Sequence, residues 1–553
     1  MRGACIPGIV LVLALLFFPV SGKGLAALHF DDPEEAEVLA ARILDRMTDE
    51  DILAQTFMLG WVGATPSPLI MDWIQGRNIG GVKIFGWNTG DTLKLAETVG
   101  ALQKTSMEGP YGIPLFVATD QEGGWIRHVK GATSETPGNM AIGASGFPRD
   151  AYLSGYYIGR ELALLGINMN FAPTVDLYTN RGSTLIGPRS FGSDPRQAGI
   201  LGAAFAKGQG AAGIIATAKH YPGHGDTDLD SHGVLPRIDI PFEVLWDREL
   251  VPYRILARER LPAIMSGHLA FPQTPAGMVP ASLSSWFLRD ILRERIGYEG
   301  LIITDDLMMN GATLSAGSLS RAAKQALLAG NDIIMLSKTP NLGDPVWTSL
   351  TAAMREDPLF RDRVRDAALR ILTAKLRYLR GDKAVPRIPD PQQVEEKLPD
   401  PEGAAFFLDL AARSVTVVNG ADTAGIPLRA EDAGKVLLAG QFIDFFNAGR
   451  NAYPGARSYW YSDEWPAAEF LYYAGEADTI IFCISNAEGL KLLKFLRPLG
   501  KRVILFSVLS PVYLEEAPWV DGAIAVYSYA PESFVAGFSA LLGRIPARGK
   551  LPL

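Results

Sequence analysis

Three of the six histidines of the chain lie within thirteen residues, in the segment 220–232, which concentrates groups that can move protons. At the end of this segment Asp230 and His232 stand two residues apart, with the small Ser231 between them. A carboxylate at this spacing can orient an imidazole ring and favour its protonated form, and histidine titrates near neutral pH. General acid–base catalysis by this pair is one interpretation of the segment.

Three other interpretations of the segment remain open at this point. His220 and His224 have the i, i+4 spacing of a helical zinc pair, although Pro222 would interrupt a helix between them. Carboxylates at every second position of 226–230 suggest a calcium loop, but the sixth and twelfth positions lack the glycine and glutamate of an EF-hand. The last alternative is a polar surface loop whose histidines have no chemical role.

Two acidic clusters offer carboxylates elsewhere in the chain. Asp305 and Asp306 follow the apolar run 301–303, and Asp120 follows the run 114–118. Because side chains alternate along a strand, only one of Asp305 and Asp306 can point toward a shared site, and alternation alone does not say which. Asp120 and Asp305 would each also suit the N-terminal cap of a helix, which is the purely structural alternative.

The elements that position these groups follow from the apolar pattern. Eight short runs are almost continuously apolar, as expected for parallel strands that are buried on both faces. They cover 57–59, 81–85, 114–119, 169–175, 214–218, 263–266, 301–304 and 332–336. Helical patterns lie between several of them, so the region predicts a (β/α)8 barrel, with a doubly wound sheet as the alternative. In a barrel all three polar clusters lie at carboxyl ends of strands, where active sites occur.

A linker and a second domain are predicted after the barrel. Five prolines among charged residues between 386 and 401 are expected to exclude a stable helix. We therefore place the barrel domain at 30–382, a proline-rich linker at 383–402 and a smaller α/β sandwich domain at 403–553. The strand candidates of the second domain are 415–418, 436–438, 479–484, 503–508 and 523–527. This domain either reaches over the barrel mouth or only stabilises the barrel.

The N-terminus predicts export. A ten-residue apolar run at 9–18 follows Arg2 and precedes small residues, which is typical of a signal peptide (1–22) and is too short to span a bilayer. We expect a periplasmic or extracellular protein without a membrane span in the mature chain. An uncleaved signal that tethers the chain to the membrane is the alternative. The net charge of −8 argues against a nucleic-acid partner.

Several motifs together resemble glycoside hydrolase family 3, in the branch of β-N-acetylglucosaminidases that trim amino sugars from bacterial cell-wall fragments. These motifs occur in the family's order at 120–124, 187–195, 219–225 with 230–232, 304–307 and 330–332. The resemblance extends over residues 45–380, and more loosely over the second domain. It implies the two-domain form of this family.

The resemblance implies a role for each candidate residue. Asp305 would be the nucleophile, and His232, oriented by Asp230, the general acid/base. The side chains implied to bind the terminal sugar are Asp120, Arg127, Arg189, Lys219, His220 and His268. In the family's pattern the arginine stands one residue further from Gly124, an offset that His128 occupies here.

The implied function is that of an exo-acting, retaining β-N-acetylhexosaminidase. It would remove terminal β-linked N-acetylglucosamine from small carbohydrate substrates, peptidoglycan fragments included, with no metal or organic cofactor. A histidine base does not repel phosphate, so phosphorolysis is an alternative second step. A β-glucosidase of the same family and a non-catalytic carbohydrate-binding protein are further alternatives. The Asp230–His232 pair favours the amino sugar, since the glucosidase branches are expected to take their acid/base carboxylate from elsewhere in the chain.

Overall fold

The computed structural model describes residues 28–229, 233–419, 425–462 and 467–553. The predicted signal peptide (1–22) and the predicted acid–base pair, Asp230 and His232, lie outside the described residues. The strands are β1 (Phe57–Gly60), β2 (Gly81–Lys83), β3 (Phe116–Thr119), β4 (Gln121–Gly123), β5 (Ile126–Arg127), β6 (Met169–Asn170), β7 (Ile215–Tyr221), β8 (Ala263–Ser266), β9 (Leu301–Asp306), β10 (Ile333–Leu336), β11 (Thr416–Asn419), β12 (Val436–Gly440), β13 (Arg457–Trp460), β14 (Thr479–Ile484), β15 (Arg502–Ser507) and β16 (Gly522–Ala525). The α-helices are α1 (Ala36–Leu44), α2 (Asp49–Gln55), α3 (Pro68–Arg77), α4 (Thr92–Met107), α5 (Gly138–Ser145), α6 (Pro148–Leu164), α7 (Pro195–Ala211), α8 (Phe242–Asp247), α9 (Leu250–Arg258), α10 (Asn310–Ala316), α11 (Leu319–Ala329), α12 (Pro345–Glu356), α13 (Pro358–Tyr378), α14 (Pro391–Lys397), α15 (Pro401–Ser414), α16 (Ile443–Ala452), α17 (Ala467–Glu476), α18 (Ala487–Lys494) and α19 (Pro531–Leu541).

Eight parallel strands close into a barrel in the order β1, β10, β9, β8, β7, β6, β3, β2. Their side chains are almost all buried, because the barrel interior covers one face and the surrounding helices cover the other. Each of the eight apolar runs overlaps one of these strands. The predicted (β/α)8 barrel is therefore confirmed, and closure excludes the doubly wound sheet.

Helices connect the barrel strands and begin at strong sequence signals. Before α7, the Asp194 carboxylate accepts a hydrogen bond from the backbone N–H of Gln197, and Pro195 is the first helical residue. Between β8 and β9 the connection is a π-helix, Trp286–Arg295. These connections hold the strand ends in fixed positions around the barrel mouth.

The second domain is built on a six-stranded sheet with the order β11, β16, β15, β14, β12, β13. Only β11 and β16 pair antiparallel in this sheet; the other neighbouring strands are parallel. Apolar clusters cover both faces, which confirms the predicted α/β sandwich. The sequence does not predict β13, because three of its four side chains are exposed and no apolar run marks it.

Much of the predicted linker is helical, so the expectation that its prolines exclude a helix is wrong. Pro391 and Pro401 are the first residues of α14 and α15, where a missing N–H costs no helical hydrogen bond. The side chains of Asp390 and Asp400 cap the same two helices. Helix α15 then joins the two domains, because Phe407 belongs to the barrel core and Ala411 to a core of the second domain.

The second domain contacts loops that leave the carboxyl ends of barrel strands. The Ser528 hydroxyl donates to the carbonyl of Thr136 at 3.2 Å, and the Tyr178 hydroxyl lies 3.0 Å from that of Ser510. The two domains therefore meet at the same end of the barrel as the polar clusters. In the ranges given above, no helix is both long and apolar enough to cross a membrane.

Candidate active site

Titratable side chains gather where three barrel strands end. Asp120 follows β3, Lys219 and His220 lie near the end of β7, and Asp305 lies near the end of β9. Parallel strands bring their carboxyl ends to one face, so these groups share the barrel mouth. The helix-cap alternative is excluded, because Asp120 lies between two strands and Asp305 within one.

Two lysines hold the carboxylate of Asp120. Lys219 Nζ lies 2.5 Å from Oδ1, and Lys83 Nζ, from the end of β2, lies 2.7 Å from Oδ2. Burial by itself would raise the pKa of Asp120, but the charges of Lys219 and Lys83 outweigh it and hold that pKa well below its usual range. Asp120 is therefore a fixed anion with defined acceptor positions.

Glu122 is a functional residue that the sequence reasoning misses. Its carboxylate accepts from Arg189 Nε at 2.9 Å and Nη2 at 2.8 Å, and lies 2.6 Å from Lys219 Nζ. Burial opposes ionisation, yet the Arg189 and Lys219 charges lower the pKa of Glu122 to about 2. Glu122 lies two residues after Asp120 in the motif 120–124, and this position is the one sequence feature that points to it. Glu122 thus orients both Arg189 and Lys219 toward the mouth.

His220 is held by a second missed carboxylate, Asp176, which lies after β6. His220 Nδ1 lies 2.7 Å from Asp176 Oδ2, and the backbone N–H of His224 donates to Oδ1 at 2.7 Å. Burial would raise the pKa of Asp176, but the His220 contact lowers it to about 2. The other ring nitrogen of His220 lies 3.5 Å from Arg189 Nη2, so the imidazole faces the same pocket. Among the described residues, no group of three or more His, Cys, Asp or Glu side chains is arranged to hold a metal ion.

The surroundings of Asp305 and Asp306 decide which of them faces the mouth. Asp306 Oδ1 accepts from the backbone N–H groups of Met308 and Ser337, both at 3.0 Å, so this side chain fixes a loop. Asp305 instead faces His220 and His268. Burial would raise the pKa of Asp305, but the electrostatic interaction with these two side chains lowers it. Among the described residues Asp305 forms no ion pair. Its Oδ1 accepts a hydrogen bond from the backbone N–H of Asp306 at 2.8 Å, so the carboxylate is held in place without a neutralising Lys or Arg among the described residues.

His268 lies beneath the acidic pair. Its Nδ1 is 2.7 Å from the Ser282 hydroxyl, and its Nε2 is 3.0 Å from the backbone carbonyl of Asp306. Burial lowers the pKa of this imidazole, and the neighbouring carboxylate of Asp305 opposes that shift. His268 therefore supports the end of β9 from the interior side of the site.

Arg127 is the predicted sugar-binding residue that the structure does not bring to the pocket. Its guanidinium donates to the carbonyl of Thr133 at 2.7 Å and pairs with Glu135 at 2.8 Å. His128 takes its place, with Nδ1 3.5 Å from Asp120 Oδ2, as the one-residue offset in the motif indicates. Burial and the Lys83 charge lower the pKa of His128 to about 4, so its ring is neutral near pH 7.

Together these side chains form a pocket of fixed donors and acceptors with one unpaired carboxylate at its edge. A sugar needs such an array, because each of its hydroxyl groups both donates and accepts hydrogen bonds. A nucleophilic carboxylate beside that array is what a retaining glycosidase requires. The geometry is therefore suited to substitution at an anomeric carbon.

The family comparison agrees with this geometry. The model of the glycosyl hydrolase family 3 N terminal domain matches residues 50–374. The chain belongs to glycosyl hydrolase family 3. The resemblance stated from the motifs is thereby confirmed.

Individual family members resemble different shares of the chain. Beta-hexosaminidase A of Pseudoalteromonas piscicida is 37% identical over 264 residues, which is 45% of this chain and 44% of the relative. The Beta-N-acetylglucosaminidase/beta-glucosidase of Cellulomonas fimi is 26% identical over 96% of this chain and 98% of its own length. The structure of a glycoside hydrolase family 3 beta-N-acetylglucosaminidase from Paenibacillus sp. str. FPU-7 superposes with a TM-score of 0.83 and 27% identity, covering 92% of this chain and 98% of that one. This chain thus spans less than half the length of the Pseudoalteromonas relative.

Proposed function

We propose that this family 3 chain is an exo-acting, retaining β-N-acetylhexosaminidase that removes terminal β-linked N-acetylglucosamine. The observation that carries the proposal is the unpaired carboxylate of Asp305 at the edge of a pocket whose other charges are fixed in ion pairs. The names of the hexosaminidase relatives support the choice of an amino sugar.

In this proposal Asp305 attacks the anomeric carbon of the terminal sugar. The bond to the leaving oxygen breaks while His232, oriented by Asp230, gives that oxygen a proton. In the second step His232 takes a proton from water, and the water releases the sugar from Asp305 with its configuration retained. The roles of Asp230 and His232 rest on their spacing in the sequence and on the family resemblance.

The ion-paired residues bind the sugar in this scheme. Asp120 accepts hydrogen bonds from sugar hydroxyls, while Lys219 and Arg189 donate to sugar oxygens. His220, held by Asp176, presents its Nε2 to the same volume. Because these groups are already oriented before the substrate arrives, little reorganisation opposes the reaction.

The predicted signal peptide at 1–22 supports the proposal that the substrate is found outside the cytoplasm. An exported enzyme of this specificity would meet peptidoglycan fragments, which carry β-linked N-acetylglucosamine. We place it in the periplasm or outside the cell, after cleavage of the signal at 1–22 or tethered by it.

Release of nitrophenol tests the specificity. The mature chain is assayed with the nitrophenyl β-N-acetylglucosaminide and, in parallel, with the β-glucoside, each with and without phosphate. We expect a clear preference for the acetamido sugar and no stimulation by phosphate. Preference for the glucoside would contradict the amino-sugar assignment, and stimulation by phosphate would identify a phosphorylase. The Cellulomonas relative, named for both activities, makes the glucoside comparison necessary.

A second assay tests the proton donor. His232→Ala is expected to slow substrates with poor leaving groups far more than activated ones, because only the former need protonation. The check is a comparison of kcat/KM across a series of aryl leaving groups. Equal slowing across the series would remove His232 from the proposed role.

A further inference from the structure

A cavity at the far end of the barrel from the mouth has no part in the scheme above. It is bordered by α7, by the ends of α9 and α13 and by residues 380–384, and its volume is about 330 Å³. Its lining residues Ile214 and Pro262 come directly before β7 and β8. The cavity therefore lies at the amino ends of these strands, separate from the pocket at their carboxyl ends.

The charged side chains that line this cavity are mostly cationic, although the chain as a whole has a net charge of −8. The cations are Lys207, Arg260, Arg377, Arg380 and Lys383, and the one carboxylate among the lining residues is Glu259. Between them the lining is apolar and includes Ile214, Leu256 and Leu261. We call this cavity the basic cleft.

Three cations of the basic cleft have no carboxylate partner. The other two are neutralised, Lys207 by Glu259 at 2.5 Å and Arg377 by Glu37. Arg380 donates to two backbone carbonyls, both at 2.7 Å, which carry no formal charge. Within the ranges that the structure describes, Arg260, Arg380 and Lys383 form no ion pair. The cleft thus has an excess of positive charge.

Arg260 also has a backbone conformation that an arginine rarely adopts. It follows α9 with a φ of +56°, and the N–H of Leu261 donates to the carbonyl of Leu256 at 3.0 Å to close the helix end. Three other barrel helices, α6, α7 and α11, end with the same hydrogen-bond pattern, and each has glycine at this position, namely Gly166, Gly213 and Gly330. Glycine adopts a left-handed φ without steric cost, whereas arginine is strained there. Strain of this kind indicates that the side chain itself is needed at the cleft.

We propose that the basic cleft binds a phosphate ester. Its phosphate group lies among Arg260, Arg380 and Lys383, because the planar N–H fork of a guanidinium matches phosphate oxygens. Its apolar part lies against Leu256 and Leu261. The volume of the cleft is at the small end of the range for ligand pockets, which fits one headgroup or a short ester. This inference does not depend on the proposed function, because the cleft shares no residue with the barrel mouth.

The test measures binding of hexyl phosphate to the mature chain by calorimetric titration at low ionic strength, since salt screens exposed charges. We expect Arg260→Gly to raise the Kd about tenfold or more, and Lys383→Ala to raise it severalfold. Arg258→Ala is the matched control, because Arg258 is an exposed cation of the same helix end that does not line the cleft. It should change the Kd by less than about twofold.

The same variant has a second readout in its stability. Without hexyl phosphate, the Tm of Arg260→Gly should equal or exceed that of the wild type, because glycine relieves the left-handed strain. With hexyl phosphate, the Tm of the wild type should rise, and that of Arg260→Gly should rise much less. If the Tm of Arg260→Gly without ligand is clearly lower, Arg260 serves the fold. Lys383→Ala then decides, since weaker binding supports the proposal and unchanged binding overturns it.

Cosedimentation with phosphatidylglycerol vesicles, with phosphatidylcholine vesicles as the control, distinguishes the source of the phosphate. Binding of hexyl phosphate alone identifies a soluble ester, whereas cosedimentation that is lost in Arg260→Gly identifies a lipid headgroup, and either result supports the cleft. A wild-type chain that binds neither hexyl phosphate nor these vesicles would overturn the proposal. So would binding that survives unchanged in both Arg260→Gly and Lys383→Ala, or that falls equally in Arg258→Ala.

Discussion

The carboxyl ends of the two sheets carry very different side chains. At the barrel, buried carboxylates and cations interlock: Glu122 is 1% exposed and Lys219 is 3% exposed, yet both are charged. The side chains at the carboxyl ends of strands in the second sheet include a hydroxyl and an amide. The Ser485 hydroxyl, after β14, donates to the side-chain oxygen of Gln441, after β12, at 3.2 Å. The ion pairs that the described residues of the second domain form among themselves are all exposed, namely Arg457–Glu476, Lys491–Glu488 and Lys494–Glu516.

This difference indicates where the chemistry lies. Removing a charged group from water costs about several kcal/mol of desolvation free energy, so clusters of buried charges often mark functional sites. The barrel mouth contains such a cluster, whereas the ion pairs within the described part of the second domain are exposed. We infer that the second domain supports the barrel loops and that reacting groups come from the barrel.

The largest effect is expected at the unpaired carboxylate. Asp305→Ala should lower kcat by about 10⁴-fold or more, because the nucleophile is removed. The measurement is kcat with the nitrophenyl β-N-acetylglucosaminide. Asp306→Asn, which keeps an oxygen to accept from Met308 and Ser337, is the matched control and should retain most activity. Full activity in Asp305→Ala would instead make Asp306 or another acid the nucleophile.

The second-largest effect on activity is expected from the loss of a buried ion pair. Glu122→Gln leaves Arg189 and Lys219 without one negative partner, and we expect kcat/KM to fall about 10²-fold. Glu135→Gln removes the exposed partner of Arg127 and serves as the control, with an expected change of less than about twofold. A similar fall in kcat/KM in both variants would contradict the claim that the buried ion pairs of Glu122 matter more than the exposed ion pair of Glu135.

The same residue gives a prediction for the pH dependence of stability. The pKa of Glu122 falls from its ordinary value of 4.5 to about 2 in the folded chain. A carboxylate with a lowered folded pKa stabilises the fold above its unfolded pKa, and this contribution is lost as the pH falls toward 2. The Tm of the wild type should therefore exceed that of Glu122→Gln at pH 6, and the gap should narrow between pH 4.5 and 3. A gap that is constant or widens over this range would contradict the assigned ion pairs.

The smallest effect on activity is expected in the second domain. Cys483 is buried in β14, within the apolar run 479–484. Cys483→Ser places a hydroxyl in an apolar core and should lower the free energy of unfolding by about 1–3 kcal/mol. The kcat per folded molecule should stay within about twofold of wild type, measured beside a denaturant titration. A large loss of kcat in folded protein would show that the second domain takes part in catalysis.

The sequence predicts the barrel well and the pocket in part. Continuous apolar runs mark all eight barrel strands, because strands buried on both faces tolerate few polar residues. Strand β13 is missed because it lies at the edge of its sheet and is largely exposed. The prolines of 386–401 lead to the wrong prediction of a linker without helices. Proline breaks a helix only in its interior and is favoured at the first helical position, where Pro391 and Pro401 lie.

Within the site, residue type and spacing predict the side chains at the carboxyl ends of strands, but not the carboxylates that pair with them. Asp120, Lys219, His220 and Asp305 are predicted and do meet at the mouth. Asp176 is far from His220 in the chain and no local pattern joins them. Arg127 fails because two glycines, Gly123 and Gly124, with φ of +91° and +60°, turn the hairpin so that His128 reaches Asp120.

The most direct test of the account is to trap the covalent intermediate. The full chain is incubated with a fluorinated N-acetylglucosaminyl fluoride that forms the glycosyl-enzyme quickly and hydrolyses it slowly, and the labelled peptide is located by mass spectrometry. We predict one sugar per chain, attached to the carboxylate of Asp305. A label on Asp306 or on a residue of the second domain, or full inactivation without any covalent label, would contradict it.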